Sequence, residues 1–280
     1  MLKETIYSPS QKFSDVISLK KMYKDLKEAG FLGKQLFIRD TRGMFRQSFL
    51  GILWAFIPPF FNAGIWVFLN ASGAVKIESA GMPYPVFVLC GTILFQTFTE
   101  ALTMPYQTVD AGKGMLSKLN FPREAFLITT FYKLLFNFAL KFVAMMVLVL
   151  FITHHFTLYA LLFPLGVFAI ILLGMSIGIL LIPFQMLLQD FSRLIQISGQ
   201  VLMYLTPVVY PIPQSGFLRT IARINPLTEF INIPRNWFSG MNAGDFTLYF
   251  ILLGCSAVLL VFGWILYRIT MPIIVERIGA

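Results

Sequence analysis

The stretch that decides the fold is FLITTFYKLLFNFALKFVAMMVLVLFI, residues Phe126–Ile152, in which apolar side chains follow one another almost without interruption. A helix needs about 20 apolar residues to cross a hydrocarbon core of about 30 Å, and this run exceeds that length. Apolar and polar residues do not alternate along it, which favours a membrane-spanning helix over a strand.

Similar runs lie on both sides of this stretch. Three are long and poor in charge, Gly51–Leu69, Leu158–Ile182 and Phe246–Tyr267, and two weaker ones, Tyr84–Thr99 and Leu194–Tyr210, carry more polar residues. With 57% hydrophobic residues, 12% charged residues and a mean hydropathy of +0.76, the composition excludes a soluble domain, whose surface needs more charge. We therefore predict an all-α integral membrane protein with six transmembrane helices.

Lysine and arginine are distributed unevenly between the two ends of these runs. If the N-terminus is cytoplasmic, the cytoplasmic segments hold Lys3, Lys12, Lys20, Lys21, Lys24, Lys27, Lys34, Arg39, Arg42, Arg46, Lys113, Lys118, Arg123, Arg193, Arg268 and Arg277. The outer segments hold only Lys76, Arg219, Arg223 and Arg235. Because cytoplasmic loops carry the excess of cations, both termini are predicted to be cytoplasmic. Topology and anionic lipids explain the net charge of +9, so no nucleic-acid partner is expected.

The chain is expected to have three parts. Residues 1–47 form a cytoplasmic interfacial segment, residues 48–270 form the six-helix transmembrane domain, and residues 271–280 form a cytoplasmic tail. Within the second part, residues 212–244 form an outer segment between the fifth and sixth spans.

The first part predicts a basic amphipathic helix that lies along the inner leaflet. Its apolar residues recur at helical spacing up to Ala29, and lysines fill the other side. Ser14 or Asp15 is expected to cap its start and Gly30 to end it, followed by an interfacial elbow at Phe31–Gln47. A solvated helix packed on a partner protein stays an alternative.

The first span is rich in aromatic residues. Trp54, Phe61 and Phe68 share one helical face with Ile65, and the pair Pro58-Pro59 is expected to kink the helix in mid-membrane. For any single one of these aromatics, an ordinary packing or lipid-facing position is the simpler explanation.

The fifth span is the least apolar. Gln196, Gln200 and Tyr204 recur every four residues and form a hydrogen-bonding stripe, which makes this helix a candidate to line a polar path. The helix is expected to break at Thr206-Pro207.

The third span carries Lys133, Asn137 and Lys141, four residues apart and therefore on one stripe. A lysine near mid-bilayer is costly, so it should face the bundle interior or water. Glu100, at a depth comparable to that of Lys133, is the expected ionic partner. The deeper Lys141 is either a structural residue or part of a conduit, and both readings stay open.

The polar loop Tyr106–Glu124 joins the second and third spans. Its segment from Asp110 to Lys118 superficially resembles a phosphate-binding loop, but the position five before Gly112 is Gln107 and no Ser or Thr follows Lys113. Any ATP and Mg²⁺ should therefore bind to another chain, and no cofactor, metal site or catalytic residue is expected in this one. The loop is predicted to hold one short helix over Gly114–Asn120, with an apolar face formed by Met115, Leu116 and Leu119.

The outer segment Ile212–Gly244 is too apolar for a free loop. It predicts two half-helices that re-enter the outer leaflet, the second over Leu227–Ile233 and ending at Pro234, with Trp237 and Phe238 as interface anchors. Asn225-Pro226 is expected to cap the second half-helix. The small residues of Gly174–Gly178 in the fourth span suit either dimerisation or packing within the chain.

The order of these elements resembles the permeases of ABC exporters for bacterial surface polysaccharides, namely O-antigen, capsule and teichoic acid. The resemblance covers nearly the whole chain. It rests on the N-terminal amphipathic helix and on Arg39-Asp40, Ser48–Pro58, Gly114–Arg123, Tyr204–Tyr210 and Ile224–Leu227.

The resemblance implies a homodimer in the bacterial inner membrane, bound to two copies of a separate ATPase, which exports a lipid-linked polysaccharide. The first and fifth helices would line the channel, so the candidate channel residues are Trp54, Phe61, Phe68, Gln196, Gln200 and Tyr204, together with Lys141 of the third span. The short helix would couple to the ATPase through Gly114, Met115, Leu116, Lys118, Leu119 and Asn120. The half-helices would form an outer gate that includes Phe217, Ile221, Asn225, Pro226 and Phe230.

Sugar chemistry supports this reading, because sugar rings stack on aromatic faces and sugar hydroxyls pair with amides. A lipid or drug exporter of the same superfamily is the nearest alternative. A membrane-embedded glycosyl- or acyltransferase is a further one, with His154, His155, Glu229 and Asp245 as its only candidate groups. A passive channel agrees less well with a coupling-type loop.

Overall fold

The computed structural model describes residues 19–46, 49–75, 77, 81–116, 121–153, 158–239 and 246–279. These residues form helices joined by short turns. The α-helices in chain order are α1 (Leu19–Arg46), α2 (Ile57–Ala71), α3 (Tyr84–Ala111), α4 (Lys113–Leu116), α5 (Glu124–Thr153), α6 (Phe163–Leu187), α7 (Gln189–Leu205), α8 (Phe217–Ile224), α9 (Pro226–Ser239) and α10 (Phe246–Gly279). Two 3-10 turns, Gly51–Ala55 and Leu158–Leu162, precede α2 and α6.

Four of the described helices are long and apolar enough to cross a membrane. They cover Tyr84–Ala111, Glu124–Ile152, Tyr159–Leu187 and Phe246–Arg277, which confirms a helical, multi-pass membrane protein. Helices α2 and α7, at the predicted first and fifth spans, have 15 and 17 residues. At 1.5 Å per residue they measure only about 23 and 26 Å, so six complete spans stay a prediction.

Helix α3 lies at the centre of the bundle. Residues on all of its faces are buried, and it contacts α2, α5, α6, α7 and α9. Helix α6 packs on it through Gly174 and Gly178, where a Cβ would collide with Ala101 and the carbonyl of Leu102. The small-residue face therefore serves packing within the chain, which settles the alternative left open by the sequence for these two glycines.

Helix α1 confirms the amphipathic pattern but not its predicted end. Met22, Ala29 and Leu36 are buried, and the helix continues through Gly30 to Arg46. A single glycine costs a helix only about 1 kcal/mol, and packing of α1 on α5 outweighs that cost. The proposed caps at Ser14 and Asp15 lie outside the described residues.

The contact between α1 and α5 depends on Gly33. A Cβ at this position would lie 2.7 Å from Ile128 Cγ2 and 3.0 Å from the carbonyl oxygen of Ala125. The hydroxyl of Thr129 also donates to the carbonyl of Gly33 over 3.0 Å. The predicted elbow at Phe31–Gln47 is therefore a continuous helix up to Arg46, held against the transmembrane bundle.

The two prolines of the first span begin a helix rather than kink one. Pro58 and Pro59 occupy the first turn of α2, where the missing backbone donors have no helical acceptor in any case. The preceding 3-10 turn, Gly51–Ala55, enters through Gly51, whose φ is +50°. The prediction of a mid-membrane kink is wrong because the helix starts six residues later than the apolar run.

Both predicted half-helices of the outer segment exist, as α8 and α9. Helix α9 continues through Pro234 to Ser239, so the predicted end at Pro234 is wrong. The proline ring packs on α6 at Gly166, where a Cβ would collide with it. Trp237 is buried near Tyr249, with ring centroids 6.4 Å apart, and is not an exposed interface anchor. Re-entry of these helices into the outer leaflet stays a prediction.

Candidate functional site

The aromatic side chains proposed for the channel lie on the surface of the chain. Phe61, Ile65 and Phe68 recur at spacings of four and three along α2, and all three are exposed. Pro59 and Ala63, on the opposite face, are buried where α2 packs on α3. Trp54 is also exposed, on the 3-10 turn that precedes α2. The chain thus leaves one aromatic face of α2 exposed on the outside of the bundle.

The polar stripe of α7 is exposed in the same way. Gln196, Gln200 and Tyr204 face outward, whereas Ile195 and Gly199 are buried. Helix α7 rests on α3 and α6, with Gly199 placed so that a Cβ would touch Thr99. Helices α2 and α7 therefore both pack on α3, and each presents its candidate channel residues away from it.

Lys141 does not share these exposed faces. It is 2% exposed, and its Nζ lies 2.5 Å from Oε1 of Glu100. Asn137 Nδ2 donates to the other carboxylate oxygen of Glu100 over 3.4 Å. Glu100 is therefore the ionic partner of this stripe, as expected, but it pairs with the deeper Lys141. This ion pair joins α3 to α5.

Lys133 pairs with a different carboxylate. Its Nζ lies 2.7 Å from Oδ2 of Asp40, and Arg39 reaches the other oxygen of Asp40 at 2.6 Å. Burial raises the pKa of Asp40, but the hydrogen bonds and charges of Lys133 and Arg39 outweigh this effect and hold it below its usual value. The sequence pattern placed Lys133 near Glu100 because the position of α1 beside α5 could not be read from spacing.

The short helix in the polar loop begins at Lys113 and its described part ends at Leu116. Lys113 pairs with Asp110, and Met115 Sδ accepts a hydrogen bond of 3.1 Å from Nη1 of Arg39. Leu116, one of the three residues of the predicted apolar face, is buried in the core of the chain itself. Gly114 is exposed. The other three candidates, Lys118, Leu119 and Asn120, lie outside the described residues.

These contacts form a continuous series of side chains from the polar loop into the bundle. Met115 contacts Arg39, Arg39 pairs with Asp40, and Asp40 pairs with Lys133 of α5. This series of contacts links α4, α1 and α5. The sequence indicated Arg39-Asp40 as a conspicuous charged pair, but not the residues that it joins.

The turn between α8 and α9 is tied to the end of α7. Asn225 Oδ1 accepts from the backbone N–H of Leu227 over 3.0 Å, which confirms the predicted cap, and Pro226 is the first residue of α9. The amide of Asn225 donates to Thr206 Oγ1 over 2.8 Å. Helix α7 ends at Leu205, directly before Thr206, as predicted from Thr206-Pro207.

The remaining gate candidates divide between surface and core. Phe217 is exposed at the start of α8, and Ile221 is half-buried. Phe230 is completely buried, with its ring centroid 5.2 Å from that of Tyr249. The outer segment therefore combines a largely exposed α8 with a firmly packed α9.

Arg235 is the main site residue that sequence reasoning missed. It was counted with the outer cations, yet it is 1% exposed and donates to the carbonyls of Pro207 and Val208 over 3.1 and 2.6 Å. Its guanidinium carbon also lies 3.8 Å from the ring centroid of Phe87. The signal was the break after Thr206, because carbonyls freed at a helix end inside a bundle need a donor.

Gly91 makes room for this arrangement. A Cβ at position 91 would collide with the Arg235 guanidinium and with the carbonyl oxygen of Val208. The hydroxyl of Tyr84, about two turns earlier on α3, donates to the carbonyl of Val209 over 3.1 Å. Helix α3 thus fixes the extended segment after α7 from two positions.

Comparison with known proteins relates this geometry to transport. The family described as ABC-2 type transporter matches residues 32–238, which include α2 to α8 and α9 up to its penultimate residue. The O-antigen export system permease protein RfbA of Myxococcus xanthus is 23% identical over 174 residues. That match covers 62% of this chain and 66% of the relative, just under two thirds of the relative's length.

Proposed function

The chain belongs to the ABC-2 type transporter family, and from this premise we propose that it exports a lipid-linked surface polysaccharide across the bacterial inner membrane. Members of this family are membrane subunits of transporters, and a separate ATPase subunit supplies the nucleotide chemistry. The active unit in this proposal is a homodimer that binds two ATPase copies. The glycan, an O-antigen, capsule or teichoic acid, passes through a channel between the protomers.

One observation carries the proposal: two faces of the bundle expose side chains that suit a sugar polymer. Phe61 and Phe68 on α2 offer aromatic planes for the apolar faces of sugar rings. Gln196 and Gln200 on α7 offer amides for their hydroxyls. In a homodimer these faces would line the path, and contacts that are each weak let a polymer slide past them.

The coupling route follows the series of side-chain contacts from Met115 to Lys133 described above. ATP binding and hydrolysis move the ATPase against the loop at α4, and Met115, Arg39 and Asp40 transmit the displacement to Lys133 on α5. The outer turn at Asn225 responds through Thr206 at the end of α7. Both termini are cytoplasmic in this arrangement.

The name of the relative supports glycan as the substrate class, since that protein is called an O-antigen export permease. A lipid or drug exporter would need mainly apolar channel surfaces, and the amide stripe on α7 argues against it. Of the candidate groups for a transferase, Glu229 lies on α9, whereas His154, His155 and Asp245 lie outside the described residues, so the described residues do not assemble a catalytic set for that alternative.

A deletion and complementation experiment tests the proposal. Loss of the gene should cause lipid-linked glycan to accumulate in the cytoplasm, and the wild-type gene should restore export. The double variant Trp54→Ala with Phe61→Ala should reduce export about tenfold, the effect of about 1.4 kcal/mol of lost contact.

The matched control changes two exposed aromatics on other helices, Phe151→Ala with Phe246→Ala. It should export normally. Absence of glycan accumulation in the deletion strain, together with new sensitivity to apolar drugs, would contradict the proposal and favour the drug exporter.

A further inference from the structure

A cavity of about 230 Å³ lies between α1, α5, α6 and α10. Its lining side chains are apolar or aromatic, among them Leu26, Phe131, Phe168, Leu172 and Trp264. Phe168 is 46% exposed, so the cavity reaches the outer surface of the chain between membrane-spanning helices. A cavity of this kind does not stabilise water, because water needs several polar partners. Its natural occupant is an apolar chain.

Two of the contacts that hold α1 on the bundle involve residues at or next to the cavity lining. Gly33 packs against Ile128 of α5, and the Asp25 carboxylate lies 2.6 Å from Nη2 of Arg268 on α10. Leu26 lies next to Asp25 in sequence and lines the cavity between these two attachments. The amphipathic helix therefore spans the cavity instead of filling it.

The flank of α1 beside the cavity is basic. Lys20, Tyr23 and Lys27 are exposed and occupy neighbouring positions on one side of the helix, and Tyr23 is one turn from Leu26. Glu28 forms its ion pair with Lys24, at 3.8 Å, and among the described residues no carboxylate is paired with Lys20 or Lys27. An anionic head group at this flank would place its acyl chain beside Leu26.

The ring of Trp264 lines the cavity and offers a flat apolar surface on which an acyl chain can pack.

We propose that this cavity binds one acyl chain of an anionic bilayer phospholipid, whose phosphate rests on Lys20 and Lys27. The lipid comes from the leaflet on which α1 lies. It completes the packing between α1, α5 and α10, and it is separate from the aromatic and amide faces of α2 and α7. The site does not depend on which substrate is exported.

Native mass spectrometry of the full-length protein tests the site. The protein is released from nanodiscs that contain phosphatidylglycerol and phosphatidylcholine in equal amounts. The wild type should retain phosphatidylglycerol, enriched about tenfold over phosphatidylcholine by the attraction of two lysines. Leu172→Trp fills the cavity and should lose the retained lipid. Leu165→Trp, two turns earlier on α6 and exposed, is the matched control and should keep it.

The head-group contact has its own variants. Lys20→Gln with Lys27→Gln should keep a retained lipid but lose the preference for phosphatidylglycerol. Lys21→Gln with Arg42→Gln removes the same charge elsewhere on α1 and should keep the preference. Equal retention by the Leu172→Trp and Leu165→Trp variants, or no retained lipid in the wild type, would overturn the proposal.

A second measurement applies if Leu172→Trp does not fold. The fluorescence of Trp264 is obtained by subtracting the emission of the Trp264→Phe variant from that of the wild type. Phosphatidylglycerol with brominated acyl chains should quench this emission more strongly than brominated phosphatidylcholine does. Equal quenching would contradict the site. Displacement of phosphatidylglycerol by an equimolar polyprenyl phosphate would assign the cavity to a carrier lipid and would also overturn the proposal.

Discussion

The carboxylate of Asp25 and the guanidinium of Arg268 meet at 2.6 Å, although 243 positions separate them in the chain. Arg268 also lies 2.9 Å from Glu124 at the start of α5, and all three side chains are at most 10% exposed. One arginine thus joins α1, α5 and α10.

This arrangement makes Asp25 a stability determinant. Asp25→Ala should lower the free energy of unfolding by about 3 kcal/mol, because it leaves a buried cation with one partner fewer. The exposed pair Lys24 and Glu28 provides the control, and Glu28→Ala should cost less than about 1 kcal/mol. Thermal unfolding in detergent, followed by tryptophan fluorescence, measures both. Equal stability of the two variants would show that the network contributes nothing.

Gly91 should tolerate no side chain. Gly91→Ala forces a methyl group into the Arg235 guanidinium and the Val208 carbonyl, and we expect a loss of about 2 kcal/mol or more. Gly254→Ala is the matched control, since position 254 is helical and has open space around it. The control should be neutral or slightly stabilising. The same unfolding assay compares them, and an unchanged transition in Gly91→Ala would contradict the packing described around Arg235.

The pair between Asp40 and Lys133 predicts a pH dependence. The folded protein holds the pKa of Asp40 below its unfolded value of about 3.9, so the pair stabilises the fold fully above that value. The stabilisation is lost as the pH falls through the lower, folded pKa. The difference in stability between wild type and Asp40→Asn should therefore be constant from pH 7 to about pH 5 and shrink at more acid pH.

Unfolding curves measured across this pH range test the prediction. Asp190→Asn serves as control because that carboxylate is 91% exposed, and its effect should be small at every pH. A difference for Asp40→Asn that grows on acidification would have the wrong sign.

The polar loop provides a test of coupling. Reversing two charges in Lys113→Glu with Lys118→Glu should weaken binding of the ATPase and reduce export about tenfold, a loss of about 1.4 kcal/mol. Lys34→Glu with Arg42→Glu reverses the same charge on the exposed side of α1 and should export normally. Co-purification and export assays read the two effects. Unchanged ATPase rate and export in the loop variant would remove the loop from the coupling route.

Features with a strong local cause were predictable from the sequence. The long apolar runs predicted α5, α6 and α10, and Thr206-Pro207 predicted the end of α7. Asn225-Pro226 predicted the start of α9 because a cap and a proline both act within one turn.

Features decided by distant partners were not predictable. Helix α1 passes Gly30 because α5 offers a surface that covers it, and α9 passes Pro234 because Gly166 of α6 leaves space for the ring. Arg235 was read as a surface cation since nothing near it in sequence reveals the carbonyls that it meets. At Gly30 and Pro234, tertiary contacts override a local preference of about 1–3 kcal/mol.

The candidate channel residues illustrate both situations. The spacing of Phe61 with Phe68, and of Gln196 with Gln200, correctly predicted which of them share a helical face. Lys141 belongs to neither face, because Glu100 on a neighbouring helix neutralises it in the interior. Hydropathy alone cannot distinguish a lysine that meets water from one that meets a carboxylate.

Helix α1 has three attachment points along its 28 residues: Asp25 on α10, Gly33 on α5, and Asp40 on Lys133. At 1.5 Å per residue the helix measures about 42 Å, and attachments spread along this length oppose tilting against the bundle. In the proposed coupling route, a push at Arg39 would therefore reach α5 and α10 together through α1.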